Sequence, residues 1–599
     1  MKNIRFSLLA FLIAALICGT AEAKTNRVVR LSDYGIKPGT DDGRLTSRLD
    51  SVLALIKASQ RPGETITLKF KRGRYDFHAA DAKKRVIYIS NHDQDAFKHV
   101  GIFLKDWQGL TIDGSGADFV FHGRIIPIAL QNTTQVTLKR FSVDFEKPQE
   151  GQAEIISSSA TEGIIFRLTE GPDYRITPEG RLQFCGEGWT NTPVGGIAFD
   201  SATHHILYNT ADLGFANEQI KDLGNRKFHA PKWCDTRLVP GTRMALRSWA
   251  RPCPGLFMDE CRQTKISDVK IHFAEGMGLV AQRCTDIDLN RFGVCLRKGS
   301  PRYYTTQADA THFSQCRGLI RSVDGLYEGM MDDAINVHGV YLRVRERIDD
   351  NTLRCRFEHG QAWGFAWGDK GDTVCFVRSK TMEHVDGTNV IAEIKPADKP
   401  QVTGCREFII RFVKPVAAEV TAAEGYGVEN LTWTPEVEFS GNVIRNNRAR
   451  GALFSSPRRT ICERNLFDHT SGSAIVLCGD CNGWYESGAV RDLVIRKNVF
   501  INALTSLYQF TNAVISIYPE IPGFGEQQRY FHGGTPTAIS ITDNVFDTFD
   551  KPVLYAKSVD GLVFKNNKIT HNNAFKPFHF NKQTIKLERC IHTDIQAVE

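Results

Sequence analysis

After residue 23 the chain holds no run of 18 apolar residues, so nothing in it reads as a membrane-spanning helix. It also lacks a concentrated basic stripe. A net charge of +7 is spread over 599 residues that include 68 acidic ones, and the longest basic stretch, KFKRGR at 69–74, mixes with β-formers like one solvated strand face. That argues against a nucleic-acid partner. Zinc-motif spacing is missing too. Cys478-Gly-Asp-Cys481 has no second C-x-x-C or H-x-H half, so the pair reads as a local disulfide or two free thiols, and no metal and no cofactor is expected. What remains is ordinary for a globular protein, with 24% charged and 42% hydrophobic residues in a chain long enough to bury a large core.

The first 23 residues stand apart. Lys2 and Arg5 precede an apolar run from Phe6 to Cys18, and Ala21-Glu22-Ala23 follows, which is the order of a secretory signal cleaved after Ala23. Cys18 raises a lipoprotein alternative, against which Ile17 is a poor preceding residue. The expectation is an exported bacterial protein, periplasmic, surface-held or released. Of 15 cysteines one lies in the leader, leaving 14, and export permits disulfides.

A repeat sets the architecture. An asparagine followed by two apolar or near-apolar residues recurs at Asn442, Asn465, Asn498, Asn544 and Asn567, with intervals of 23, 33, 46 and 23. Two intervals are one unit, one is two units, and the fourth is a unit plus ten residues, where CGDCNGWYES sits as a loop insertion. Upstream, Cys261 and Cys284 are 23 apart and lead into the alternating segments TKISDVKIHF and TDIDLNRFGV, with Cys316 another 32 on. Alternation over five to eight positions means strand. A 23-residue strand-rich unit cannot bury its apolar face alone but can when stacked. Short strands between Gly, Asn, Asp and Ser turns leave no room for a helix, so each unit makes one coil, with coils about 4.8 Å apart. The fold class is all-β, a right-handed parallel β-helix. Its cysteines should form an interior ladder and its asparagines a turn ladder.

The rhythm breaks twice, at about 147–250 and about 341–430, where β-prone segments such as TLRCRFEHG and DTVCFVRSK read as small antiparallel barrels. The expected organisation is a signal at 1–23; an N-terminal β-helix part at 24–146, with SRLDSVLALIKAS as a capping helix over the open end; an inserted β-barrel at 147–250; the active-site coils at 251–340; a second inserted barrel at 341–430; and a C-terminal β-helix part at 431–599.

The candidate chemistry lies in 307–339. Asp309 and Asp332 are 23 apart, while Asp309-Ala-Thr-His-Phe and Asp333-Ala-Ile-Asn-Val align at 24. Either register puts three carboxylates on one face of two adjacent coils, and the same column places Arg450 beside Asp332 on the following coil. Like charges this close push one pKa up, giving the protonated acid and ionised base that glycoside hydrolysis requires. The bland alternatives are turn aspartates or a calcium-binding ladder. His312, Asn336, His338, Arg450 and Glu275 are the candidate sugar contacts around the column; Glu275 reads equally as a turn cap. Tyr303, Tyr304, Trp363, Trp367, Trp433 and Trp484 read individually as packing, or as walls of a sugar pocket.

At these residues the chain resembles a known family. V-x-L-x-DYG and the coil pattern are similar to the pectate-lyase-like β-helix superfamily, and the aspartate arrangement to polygalacturonases. GMMDDAINVHG, the preceding ADATHFSQC and the two insertions resemble glycoside hydrolase family 110, the bacterial α-1,3-galactosidases, over essentially the whole mature chain. The resemblance implies inverting removal of terminal α-1,3-linked galactose, including from blood-group-B-type glycans and linear ones, without a metal. It makes Asp309, Asp332 and Asp333 catalytic, with Asp332 as acid and Asp309 and Asp333 holding the water. The polygalacturonase R-I-K segment for an acidic sugar is absent, which favours a neutral sugar. Two rival readings are a polygalacturonase-like hydrolase or lyase on uronic-acid polymers, and a non-catalytic β-helix glycan-binding protein. Oligomeric state stays open.

Overall fold

The computed structural model describes residues 25–596. The proposed leader, its cleavage site and Cys18 lie outside the described residues. Thirty-three strands form one continuous ladder whose long-range pairings are almost all parallel, which is the signature of a β-helix. Right-handed crossover between parallel strands gives its hand.

One face of the helix matters for the site. Phe97–Lys105, Ile126–Gln131, Leu256–Asp259, Leu279–Gln282, Thr311–Ser314, Ile335–Val340, Ala452–Phe454, Ile475–Leu477 and Ile515–Ile517 pair in that order. Alternation decides what each position does. Leu279, Thr311, Ile335 and Ala452 point inward, and Val280, His312, Asn336 and Leu453 form the neighbouring outward column. Just before these strands sit Gly278 and Gly451. A Cβ on Gly278 would stand 2.6 Å from the Ala310 carbonyl, and one on Gly451 2.4 Å from that of Ala474, so the coils close here only because these residues are small.

Two polar ladders fix the coil register. The backbone N–H of Asn442 donates to Asn465 Oδ1 at 2.9 Å, Asn465 to Asn498 at 2.9 Å, Asn498 to Asn544 at 3.0 Å and Asn544 to Asn567 at 3.0 Å. Each Nδ2 of the first four also reaches the next asparagine. Asn442, Asn465, Asn498 and Asn544 are buried, so removing one of them orphans its partners, at about 1–3 kcal/mol. Cys261, Cys284 and Cys316 stack inside the core, with the Cys261 N–H donating to Cys284 Sγ at 3.4 Å. All 14 described cysteines are free, Cys478 and Cys481 included.

The helix Leu45–Ala58 covers the first coils with Leu45, Leu49, Leu53 and Ile56, each at most 4% exposed. Two sheets stand outside the coil stack. Between Gly151 and Arg247 seven antiparallel strands surround their own core, accompanied by the three-stranded meander Asp173–Asn191. No pairing joins the two end strands of this ladder among the described residues. The second insertion does close: Thr373–Arg378 pairs with Asn389–Pro396 on one side and Tyr426–Asn430 on the other, completing a six-stranded barrel around Trp367. No helix among the described residues is long and apolar enough to cross a membrane.

Candidate active site

Thr311 pairs with Ile335 and Ile335 with Ala452, so two residues earlier in each coil Asp309, Asp333 and Arg450 form one column. The register is therefore 24, and Asp332 stands one residue aside. Arg450 does stand beside Asp332, 3.8 Å away, but its Nε and Nη2 grip Asp333 at 2.9 and 2.8 Å. One oxygen from each of the three aspartates lies within 4.8 Å of the others, at the floor of a pocket of about 570 Å³.

The three carboxyls have different surroundings. Asp332 receives Arg448 Nη1 on one oxygen at 2.8 Å and Arg251 Nη2 on the other at 3.0 Å. Burial alone would raise its pKa, but Arg448, Arg251, Arg450 and Arg247 together hold it down at about 2. Among the described residues no arginine or lysine contacts Asp309. Its partner is His312 Nδ1 at 2.8 Å, and burial, with Asp332 beside it, pushes it up to about 8. Burial also lifts Asp333, against the pull of Arg450, to about 7. One ionised carboxylate thus faces two that hold protons near neutrality, the division of labour an acid–base pair requires.

The polar chain continues beneath the floor. His312 Nε2 meets His338 Nε2 at 2.8 Å, His338 Nδ1 meets the Gly339 carbonyl at 2.7 Å, and Glu486 Oε1 lies 3.5 Å from His338 Nε2. Glu486 returns to the pocket, where Asn91 and Asn336 donate to it at 3.1 and 3.4 Å. Burial lowers the pKa of both histidines, His312 to about 4, so the imidazoles are neutral near pH 7. The tautomers set which way a proton leaves Asp309.

His312, Asn336 and Arg450 line the pocket and His338 supports it from below. Glu275 does neither. It is 1% exposed and bound by Arg124 Nε at 2.8 Å, away from the lining. Of the aromatics singled out from the sequence, Trp484 lines the pocket, Trp367 fills the second barrel and Trp433 packs under Arg283. Tyr303 and Tyr304 are buried as scaffold, with the Tyr303 hydroxyl donating to Ser201 O at 2.9 Å. Sequence reasoning missed Arg251, Arg247, Arg448, Asp212, Trp249 and Glu486. Arg247 donates to the carbonyls of Gln307 and Met331, one just before each aspartate segment, at 2.8 and 3.0 Å. Asp212 clamps Arg448 at 2.7 and 2.8 Å and so fixes the cation that holds Asp332. The only sequence signal for these groups is RNNRARG, in which Arg448 and Arg450 flank the column.

Family models for GLAA-B beta-barrel domain I and domain II match residues 151–244 and 352–423. The chain is 54% identical over 589 residues to an alpha-1,3-galactosidase B of Phocaeicola vulgatus, covering 98% of this chain and 99% of that one. It is 53% identical over 596 residues to an alpha-1,3-galactosidase B of Bacteroides fragilis, covering 99% and 100%. Among solved structures, a family 28 exopolygalacturonase of Yersinia enterocolitica aligns over 96% of this chain and 80% of that chain at 10% identity, with TM-score 0.32.

Proposed function

The chain belongs to the alpha-1,3-galactosidase B family and is a glycosidase, and from that premise we propose that it is an exported, exo-acting, inverting hydrolase. It removes terminal α-1,3-linked galactose from glycans, both blood-group-B-type branched structures and linear ones. The observation that carries the proposal is the convergence of Asp309, Asp332 and Asp333 in one pocket, with one carboxyl ionised and two poised to hold protons. A pocket of about 570 Å³ can hold a terminal sugar, with Trp249 and Trp484 in its lining to take the C–H face of a ring.

In this reading galactose enters end-on, one carboxylic acid protonates the glycosidic oxygen and a carboxylate activates the water at C1. The ion pairs favour Asp309 as proton donor and Asp332 as the ionised partner, the reverse of the division implied by the resemblance to polygalacturonases. For Asp332 to serve as the acid, substrate must first draw Arg448 and Arg251 off its two oxygens. The leaving group separates the two. A variant lacking the acid keeps far more of its rate on an activated aryl α-galactoside than on a disaccharide. That pattern is expected in Asp309→Asn; finding it in Asp332→Asn instead restores the implied division.

A retaining double displacement is the second reading. It is favoured by carboxylate oxygens within 4.8 Å of each other, closer than the roughly 6.5–9.5 Å carboxyl spacing usual for inversion. Proton NMR of the protein with an α-1,3-galactosyl disaccharide and a blood-group-B trisaccharide decides. β-Galactose first means inversion, α-galactose first means retention, and no galactose from either removes the substrate. Any of the three Asp→Asn changes is expected to cost about 10²–10⁴-fold or more in kcat with the fold intact. Wild-type turnover in Asp333→Asn would sink the assignment.

A further inference from the structure

We propose that Cys375, His384 and Glu429 form a binding site for one zinc-class divalent cation on the outer face of the second inserted barrel. Cys375 on Thr373–Arg378 is the direct cross-strand partner of Glu429 on Tyr426–Asn430. His384 lies on the strand that pairs along the other edge of Thr373–Arg378, opposite Val377. Alternation turns Val374, Phe376 and Val428 into the barrel core and leaves Cys375 and Glu429 facing out, against the β-helix loops. A covered strand face should be apolar, and here it holds a carboxylate that is 1% exposed.

That carboxylate is badly provided for. No arginine or lysine forms an ion pair with it among the described residues, Arg491 lying within electrostatic reach but contacting His384 instead; its partners are the Cys375 thiol, 3.5 Å from Oε2, and His384 Nε2, 3.4 Å from the same oxygen. Among the described residues Oε1 has no hydrogen-bond partner, and neither has the fully buried hydroxyl of Tyr341, which lies within electrostatic reach of both Glu429 and Cys375. A buried charge calls for a counter-charge, and a metal ion supplies one.

The spacing fits. Zinc bonds of about 2.3 Å to sulfur and about 2.0–2.1 Å to nitrogen and oxygen, at the tetrahedral angle, separate S from O by about 3.5 Å and N from O by about 3.4 Å. The site shows 3.5 and 3.4 Å, and the three ligand atoms lie within 4.8 Å of one another. The His312–His338 pair beside the catalytic floor does not fit this geometry, because 2.8 Å between two nitrogens is a hydrogen bond. Cys, His and carboxylate together suit zinc rather than calcium or magnesium. His384 is 23% exposed and gives the ion a path in. On binding, the Cys375 thiol proton leaves to solvent and the His384 proton moves from Nε2 to Nδ1, which gives up the long Arg491 contact, so that sulfur and Nε2 each present a lone pair. The competing arrangement is metal-free: thiol and Nε2–H both donate to Glu429, and Arg491 Nη2 donates to His384 Nδ1 at 3.5 Å.

Cobalt(II) tests this, because a thiolate ligand gives a near-ultraviolet charge-transfer band that a site of histidine and carboxylate cannot. The full mature protein is stripped with chelator and titrated with cobalt(II), then with zinc. Expected are one cobalt per chain with a thiolate band, displacement of cobalt by zinc, and a higher melting temperature with zinc. Cys375→Ser should abolish the band, and Glu429→Gln should weaken cobalt binding about tenfold or more while keeping the band at saturation. Galactosidase activity is expected to stay within about twofold throughout, since the ligands lie outside the pocket. Absence of the band in the wild-type protein, or a band that survives Cys375→Ser, overturns the proposal.

Discussion

The first insertion sends Arg247 and Asp212 to the catalytic floor, whereas the second contributes no residue to the pocket lining. Arg247 holds the backbone of both aspartate segments, and Asp212 holds the arginine that holds Asp332. The closed barrel works at one remove. Its His359 stacks on Trp484 at 4.3 Å, and its Trp367 donates to Val340 O and accepts through its own carbonyl from Gln315. The two insertions therefore differ in what they can affect, the first the charge and geometry of the reacting groups, the second a wall.

The largest break in this contrast should come from Arg448→Met. It severs Asp212 from Asp332 and leaves a buried carboxylate with one cation fewer, so the Asp332 pKa rises. A fall of about 10²-fold or more in kcat is expected, with the acid limb of the kcat profile moving to higher pH. Arg247→Met comes next. It removes two charge-assisted bonds to carbonyls and keeps its neighbours' charges, so about tenfold in kcat/KM is expected, near 1.4 kcal/mol. His359→Ala should raise KM only a few-fold at unchanged kcat, because an aromatic contact contributes about 0.5–1.5 kcal/mol. A kcat loss in His359→Ala equal to that in Arg247→Met would erase the distinction.

The contrast also explains what could be read from the chain. Asn442, Asn465, Asn498, Asn544 and Asn567 announce the coil because a ladder needs the same residue at every turn, and spacing survives any loop. The alternative registers of Asp309 stayed open because Asp332 and Asp333 are adjacent; only the pairing of Thr311 with Ile335 separates them. That one-residue difference decides that Arg450, which stands beside both, bonds Asp333 more closely than Asp332. Asp212, Arg247 and Arg251 were illegible for another reason. The first two reach the site from a segment with its own fold and Arg251 from the link that leaves it, and no periodicity ties them to a coil position. Glu486 sits in the ten-residue loop that the repeat count set aside as padding, and Glu275 was near in register yet is consumed by Arg124.

The smallest expected effect is on stability, and it isolates Asp309 from the arginine framework. An aspartate in the unfolded chain takes up its proton near 3.9, whereas Asp309 in the folded protein does so at about 8. Between those values the folded state carries a proton that the unfolded state has released. Folding is therefore favoured in full below pH 4 as far as this group is concerned, and loses ground steadily as pH rises toward 8. Asp309→Asn removes the titration and keeps a hydrogen-bond partner for His312 Nδ1. The melting temperature of the variant relative to the wild type should thus rise from pH 5 to pH 9, by a few degrees. Asp332→Asn should behave oppositely: its carboxyl is ionised throughout this window, and losing it strands Arg448 and Arg251, so the variant should be less stable at every pH in the range. Parallel, pH-independent offsets for both variants would mean that the two aspartates share one environment and that the asymmetry imposed by the first insertion is absent.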